Sequence, residues 1–209
     1  VNLSAKGNIY NKENLYYETS DNGDGTVTIT DYDKSCGSEV NIPDTIKGKT
    51  VTKIGSSPSW EETKAKSFSH KNLTKIVIPD TVTYIGMWAF YESDITELTL
   101  ENSLQVIDKE AFHFNKITNI IFPNSLKKIN SGTFMNNNLT SIPSLNNIEY
   151  DSGSFTANNL ELKNAFIYSK NADGSIDYTN LNSYATKKHT DILNIPNGVK
   201  TLEYKSLHY

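Results

Sequence analysis

Residues 73–90 read LTKIVIPDTVTYIGMWAF, and the pattern in them returns along most of the chain. The opening Leu-x-x-Ile-x-Ile ends in an alternation of period two, which predicts a half-buried β-strand. Pro79 has no amide hydrogen to give to a neighbouring strand, so it closes that strand. The x-Val-x-x-Ile segment that follows predicts a second short extended piece. Ala89-Phe90 predicts a tight turn that places the phenylalanine ring in the core.

The same residue types recur at steps of 22 residues. The recurring columns are Leu73, Ile95, Ile117 and Leu139; Ile76, Leu98, Ile120 and Ile142; Val82, Leu104, Leu126 and Ile148; Ile85, Ile107 and Ile129; and Phe68, Phe90, Phe112 and Phe134, after which Phe155 comes one residue early. One unit cannot bury its apolar side alone, whereas stacked units form a continuous core. The period therefore predicts a solenoid whose first strands form a parallel sheet.

A polar column stands just before the first strand of each unit. Its members are Asn72, Asp94, Lys116, Asn138 and Asn159. Asn and Asp side chains can replace backbone partners in turns. We therefore expect most of this column to form a stacked polar ladder with a structural role.

Two stretches resemble a known family of repeats. Ile78–Phe90 and Val40–Gly55 are similar to the repeats of the BspA-like (Treponema pallidum-type) leucine-rich repeat class, and the resemblance covers residues 40–160 and again 190–207. It implies an α/β leucine-rich-repeat solenoid, horseshoe-like and strand-dominated, with a parallel concave sheet. It also implies a bacterial surface or secreted protein, because members of this class are often adhesins joined to wall-attachment modules.

Breaks in the register suggest the domain organisation. Residues 1–39 are interpreted as an N-terminal β-hairpin cap with a turn at Asp24-Gly25, and residues 40–162 as the repeats. Residues 163–189 are interpreted as a hairpin insertion with a turn at Asp173-Gly174. Residues 190–209 are interpreted as a truncated further repeat, since Val199, Leu202 and Leu207 match Val82, Ile85 and Phe90. We expect the array to continue beyond Tyr209.

A further insertion lies between Gly55 and Phe68. It contains Ser59-Trp60-Glu61-Glu62, a capping-box pattern that predicts a short helix through Ala65. Trp60 either packs this helix onto the coil or is exposed as a binding aromatic, and the sequence leaves both open.

Composition excludes several classes of function. The 209 residues carry a formal net charge of −4, and all 20 basic residues are Lys. The chain therefore lacks both a global basic field for nucleic acid and the bidentate guanidinium that clamps phosphate. No apolar run is long enough for a membrane span. The single Cys36 excludes an internal disulfide, and we expect no thiol catalysis, no cofactor and no enzymatic activity.

Metal sites are weakly indicated. Asp21-Asn-Gly-Asp-Gly25 invites comparison with a calcium loop, but Gly23 breaks the alternation of ligands that an EF-hand needs, so a hairpin turn is the preferred interpretation. The four histidines, His70, His113, His189 and His208, fall on different coils or the tail, and none has another at i+4. We expect no metal site.

The outward side chains of the predicted strands are the candidate binding surface. They project away from the core onto the predicted concave face, and they form three columns. The candidate residues are Lys75, Glu97 and Asn119; Val77, Thr99 and Ile121; and Asp80, Asn102 and Asn124. The middle column is β-branched, which suits either a strand as such or a landing surface for a partner.

The favoured function is a non-enzymatic module that binds a protein or carbohydrate at a bacterial cell surface, in adhesion or host interaction. The alternative is a structural spacer that presents other domains of a longer surface protein. We expect a monomer, located outside the cell, without membrane insertion by this part of the chain and without nucleic acid as a partner.

Overall fold

The structure is a computed structural model that describes residues 16–55, 67–161, 166–185, 195–203 and 207. Its strands are β1 (Tyr17–Asp21), β2 (Thr26–Tyr32), β3 (Glu39–Asn41), β4 (Thr45–Ile46), β5 (Lys49–Ile54), β6 (Lys75–Ile78), β7 (Tyr84–Ile85), β8 (Glu97–Leu100), β9 (Val106–Ile107), β10 (Lys128–Ile129), β11 (Glu149–Tyr150), β12 (Phe166–Lys170), β13 (Ile176–Tyr184) and β14 (Thr201–Leu202). The one helical element in these ranges is a 3-10 turn, Lys34–Cys36. The predicted helix at 59–65, with Trp60, lies outside the described residues.

Two parallel sheets run along the solenoid. The Leu-x-x-Ile-x-Ile segments form the sheet β3-β6-β8, and the x-Val-x-x-Ile segments continue β2-β5 through β7, β9 and β10 to β11. Ile76 pairs with Leu98, and Ile85 pairs with Ile107, so neighbouring coils are in register at a step of 22 residues. The predicted strand-dominated leucine-rich-repeat solenoid with a 22-residue period is confirmed.

The last of these coils is one residue shorter. Lys128 pairs with Glu149 and Ile129 with Tyr150, a step of 21 residues. The shortening falls between Ile148, which keeps the step of 22 from Leu126, and Tyr150. It also explains why Phe155 comes one residue early. Tyr150 therefore stands in the column that holds isoleucine in the preceding coils.

A stack of phenylalanine rings fills the core. Phe68, Phe90, Phe112, Phe134 and Phe155 are fully buried. Successive ring centroids lie 4.9, 5.0, 5.5 and 5.8 Å apart, with interplanar angles of 15° or less. The first two separations match the distance between hydrogen-bonded parallel strands, about 4.8 Å, and the last two are wider. At the N-terminal end the ring of Tyr32 stacks on Phe68 at 5.1 Å, so β2 covers the first ring.

The polar ladder lies one residue earlier than the sequence suggested. Its members are the buried residues Asn115, Asn137 and Asn158. Asn137 shows the pattern: its Nδ2 donates to the carbonyl oxygens of Phe112 (2.8 Å) and Phe134 (3.2 Å), and its Oδ1 accepts from the Ile117 amide (3.2 Å). Each amide thus satisfies backbone groups of two coils.

The residues predicted to form that ladder instead lie nearer the surface. Asn72, Lys116 and Asn159 are exposed, and Asp94 and Asn138 are half-buried. Lys116 pairs there with Asp94 at 2.8 Å. Asn72 and Asp94 have φ values of 54° and 66°, which Asn and Asp tolerate better than most residues. Asn159 also donates to the Asn138 side chain at 3.3 Å, so members of the predicted column do pair between coils. This ladder lies nearer the surface, however, because side chains at the second polar position turn outward while those at the first turn inward and form the buried ladder.

Two antiparallel hairpins flank the described repeats, β1-β2 and β12-β13. The second strand of each pairs in parallel with a strand of the array, β2 with β5 and β13 with β14. In the first hairpin Asp21 accepts from the Gly23 amide and pairs with Lys49, while Asp24 accepts from the amide and hydroxyl of Thr26. These carboxylates stabilise the turn. The predicted boundaries of the cap and of the insertion remain predictions.

The buried phenylalanine stack predicts a position-specific loss of stability. Phe112→Ala should lower the free energy of unfolding by about 3–5 kcal/mol, because it leaves a cavity between two rings. Phe114→Ala is the matched control, since its ring is 45% exposed. Urea denaturation of both variants checks this, and equal losses would contradict the assignment of the core.

The position of the ladder can be tested with neighbouring asparagines. Asn137→Ala should destabilise the fold by at least about 2 kcal/mol, because it leaves buried amide and carbonyl groups unpaired. Asn138→Ala should have a clearly smaller effect, since that side chain lies nearer the surface. Thermal denaturation of the two variants distinguishes them, and the reverse order of melting temperatures would favour the ladder expected from sequence.

Burial, together with the nearby Cys36 and Asp33, raises the pKa of Tyr32 from 10.0 to about 12. The unfolded chain therefore ionises this phenol first, so the stabilisation is present below pH 10 and is lost as the pH rises through 12. Tyr32→Phe should flatten the fall in unfolding free energy across this range. Tyr178→Phe, at a tyrosine that is 65% exposed, should leave that slope unchanged in the same measurement.

Candidate functional site

The alternation in β6 and β8 directs side chains to two sides. Ile76 and Ile78 are fully buried, whereas Lys75 and Val77 are half-exposed on the opposite side. In β8, Glu97 and Thr99 are exposed on that same side. The structure thus places these four predicted residues together on one sheet. We call the surface formed by these four with Asp80, Asn102, Asn119, Ile121 and Asn124 the strand face.

The first column of the strand face is charge-balanced. The Lys75 ammonium lies 3.1 Å from the Glu97 carboxylate, and Glu39 of β3 stands opposite Lys75 on the other side. Asn119, in the next coil, is exposed. Exposed pairs of this kind contribute about 0–1 kcal/mol to stability. The column therefore offers a polar edge with little net charge.

The middle column becomes more exposed along the array. Val77 is half-buried between Asn41 of β3 and Thr99 of β8, Thr99 is exposed, and the Ile121 side chain is 83% exposed. Residues 119–122 are not part of a strand, so the β3-β6-β8 ladder stops before Ile121. The position of Ile78 and Leu100 is occupied there by Phe122, whose larger ring contacts Phe134 at 5.7 Å.

The third column stabilises turns. Asp80, Asn102 and Asn124 are exposed, and the Asp80 carboxylate accepts from the Asn102 amide at 2.8 Å. Asp80 thus joins two coils.

Sequence reasoning missed Glu39 and Asn41, because the insertion after Gly55 places them 36 residues before Lys75 and Val77 instead of 22. Pairing Val40-Asn-Ile with Ile76-Val-Ile could have found them.

A second cluster, on the turn side of the coils, was not predicted. His70, Tyr91 and His113 come from successive coils, with ring centroids 5.5 and 5.4 Å apart. Phe114 stacks on His113 at 4.1 Å. Burial raises the pKa of the Tyr91 phenol, with smaller contributions from Glu92 and Glu110. The pairs Ser69-His70, Tyr91-Glu92 and His113-Phe114 follow one another at steps of 22 residues in the sequence. This spacing could have indicated that their side chains lie side by side on successive coils.

The polar groups of this cluster contact one another. His70 Nε2 lies 3.2 Å from the Glu92 carboxylate, and Asn136 Nδ2 lies 3.1 Å from His113 Nε2. The Trp88 indole donates to Glu110 at 2.9 Å. The cluster therefore joins adjacent turns. Within the described ranges no three His, Cys, Asp or Glu side chains come together as a metal site.

Cys36 and Asp173 are two further residues of types that can act in catalysis. Cys36 is half-exposed, and burial raises the pKa of its thiol, which disfavours the reactive thiolate. Asp173 accepts from the amide and hydroxyl of Ser175, and these bonds lower its pKa. It belongs to the hairpin turn.

In the part of the chain that the structure describes, no helix is both long and apolar enough to cross a bilayer.

Solved structures with the same fold come from several bacteria. The leucine-rich repeat protein of T. pallidum is 20% identical, with a TM-score of 0.57 over 90% of this chain and 79% of that one. A leucine-rich repeat protein from Bacteroides capillosus is 29% identical, with a TM-score of 0.50 over 60% and 91%. The pneumococcal vaccine antigen PcpA is 18% identical, with a TM-score of 0.52 over 91% of this chain and 59% of its own.

None of the curated proteins compared with the chain matches it. The model of the BspA type leucine rich repeat region matches residues 61–176 in six copies, which is more than half of the chain. This range includes β6 to β11, the phenylalanine stack and the strand face. The chain belongs to the BspA-type leucine-rich repeat family.

Proposed function

We propose that the chain is a non-enzymatic protein-binding module of a bacterial surface or secreted protein, and that the strand face contacts the partner. The observation that carries this is the middle column, Val77, Thr99 and Ile121, which ends in an isoleucine that is 83% exposed. The column is flanked by the Lys75–Glu97 ion pair on one side and by Asp80 with two asparagines on the other, so little net charge surrounds it. A ridge of β-branched residues in such surroundings suits a protein surface better than a strongly charged ligand.

The fold supports this assignment. Solenoids bind partners on extended faces made of equivalent positions in successive coils. The strand face is such a surface, because β6 and β8 pair in register and present Lys75 beside Glu97 and Val77 beside Thr99. The chain has the repeats of the BspA-type family, and the similar solved structures come from bacteria. One similar structure belongs to a protein described as a pneumococcal vaccine antigen, which supports a location outside the cell.

The occupied polar groups support a role without catalysis. Glu110 binds the Trp88 indole, Asp24 holds a turn, and Asp108 accepts from Tyr84 (2.5 Å) and Asn130 (2.6 Å). These carboxylates are engaged by donors that neighbouring coils or turns supply. We expect a monomer, since binding through the strand face needs no second copy.

A spacer that presents other domains is the second candidate. β-Branched residues are good strand formers, so Val77 and Thr99 have a structural reason to be where they are. The continuous phenylalanine stack would also give a spacer stiffness. The two candidates differ in whether the strand face itself binds anything.

The test replaces the middle column. The triple variant Val77→Lys, Thr99→Lys and Ile121→Lys should abolish binding to purified extracellular-matrix proteins that the unaltered chain binds, while its circular dichroism spectrum stays unchanged. Three ammonium groups cannot be desolvated against an uncharged partner surface. Thr83→Lys with Gln105→Lys, which adds charge beside β7 and β9, is the control and should bind normally.

Retained binding by the triple variant would contradict the assignment of the strand face. A complete absence of binding by the unaltered chain, together with binding by another domain of the same longer protein, would favour the spacer.

A further inference from the structure

A cleft of about 830 Å³ lies between the shortened coil and the second hairpin. This is within the range of ligand pockets, about 300–1,000 Å³. One wall is formed by residues 146–152, and the other by the turn of the hairpin at 169–174 together with Asn182 and Glu203. It is separate from the strand face, because it shares no residue with it.

A set of polar contacts holds the two walls at a fixed distance. The Lys170 ammonium donates to the carbonyl oxygens of Leu145, Asn146 (3.1 Å) and Ile148 (2.9 Å). The Tyr150 hydroxyl donates to the Tyr168 carbonyl at 2.5 Å, and the ammonium lies 5.3 Å from the Tyr150 ring centroid. The cleft is therefore formed before any ligand arrives.

Besides the Lys109 ammonium, three polar side chains in the cleft have no hydrogen-bond partner among the described residues. Asn146 and Asn147 are exposed, and each amide can donate and accept. The Asp151 carboxyl is half-buried beside them, and this burial raises its pKa. A half-buried carboxyl that no donor satisfies costs free energy unless a ligand or water supplies one. These groups are available to a ligand.

The charges around the cleft nearly cancel. The Glu149 carboxylate pairs with Lys128 at 2.8 Å, and Glu203 accepts from Asn180 at 2.6 Å. The Lys170 ammonium is already bonded to carbonyl oxygens. Lys109 and Asp151 remain, with opposite charges. The cleft therefore has no excess of positive or negative charge that would attract a strongly anionic or cationic ligand.

An aromatic cleft of about 500 Å³ adjoins the polar one and shares Tyr150, Asn146 and Lys170 with it. Its lining includes Tyr168 and Tyr178, whose rings meet edge to face at 5.2 Å. Tyr178 is 65% exposed. Polar groups that both donate and accept thus lie next to accessible aromatic rings.

We propose that the cleft between residues 146–152 and the second hairpin binds a neutral oligosaccharide. Sugar hydroxyls donate and accept at once, which matches the amides of Asn146 and Asn147 and the carboxyl of Asp151. The C–H faces of sugar rings pack on aromatic side chains such as Tyr178. This site is independent of the partner proposed for the strand face and goes beyond that function.

The experiment measures binding of neutral oligosaccharides of three to six hexose or N-acetylhexosamine units to the full chain. Saturation-transfer NMR would find ligands and calorimetry would give affinities. The double variant Asn147→Ala, Asp151→Ala should bind at least about tenfold more weakly, since it removes two hydrogen-bonding groups. Asn102→Ala with Asn124→Ala, which removes exposed amides from the strand face, is the matched control and should bind as the unaltered chain does.

A second variant guards against misfolding of the first. Ala172→Trp in the turn should block the cleft while leaving its polar groups in place, and it too should lose sugar binding. The triple lysine variant of the strand face should keep it, so this site and the proposed function fail separately.

Three results would overturn the proposal. The first is that the unaltered chain binds none of the oligosaccharides. The second is that the cleft variants and the control variant weaken binding equally. The third is that the cleft binds an apolar peptide instead of a sugar and that Tyr178→Ala abolishes this peptide binding. The last result would assign the cleft to a protein partner.

Discussion

The stacking of one coil on the next is the constraint on which the rest of the structure depends. Amide groups of each turn donate to carbonyl groups one repeat along, as Phe90 donates to Ala111 at 2.8 Å and Phe112 to Thr133 at 3.0 Å. This fixes the coil spacing near that of parallel strands, about 4.8 Å. Side chains that pack well on a neighbour of similar shape at this distance suit the interior. Flat phenylalanine rings and planar asparagine amides do so, and both are found there.

Repetition also determines the two outer sides. On these sides the spacing between coils places equivalent residues of successive repeats in columns. Changing one residue in each repeat therefore changes a whole column of the surface. The strand face uses this with mixed polar and β-branched residues. The turn side uses it differently, because His70, Tyr91 and His113 alternate ring types and contact one another. Both sides join neighbouring coils, the strand face through polar side chains such as Asp80 and the turn side through ring contacts.

Much of this could be predicted from spacing alone. The buried columns of Phe, Ile and Leu followed from the period, and the outward position of Lys75 and Val77 followed from alternation within the strand. The polar ladder did not, because Asn137-Asn138 and Asn158-Asn159 offer two polar residues in a row, and the sequence does not show which one turns inward. The hint was Asn115 before Lys116, since the lysine interrupts the predicted column while the asparagine continues the preceding one.

The cleft at the second hairpin was beyond the reach of sequence patterns. It depends on Lys170 meeting three carbonyl groups 22 to 25 residues earlier, and no period or motif encodes that meeting. The residues of the middle column could be named, but the exposure of Ile121 could not. Ile121 lies beyond the last strand of the sheet β3-β6-β8, and the alternation of residue types does not show where a sheet ends.

The shortened coil has a consequence for how such arrays hold a hairpin. Removing one residue between Ile148 and Tyr150 puts a phenol in place of an isoleucine, and its hydroxyl reaches out of the core to the backbone of the second hairpin. A hairpin moved to a coil of regular length would find an aliphatic side chain at that point and no hydroxyl to hold it. Anyone who grafts a hairpin into this scaffold should therefore move the deletion together with the insertion.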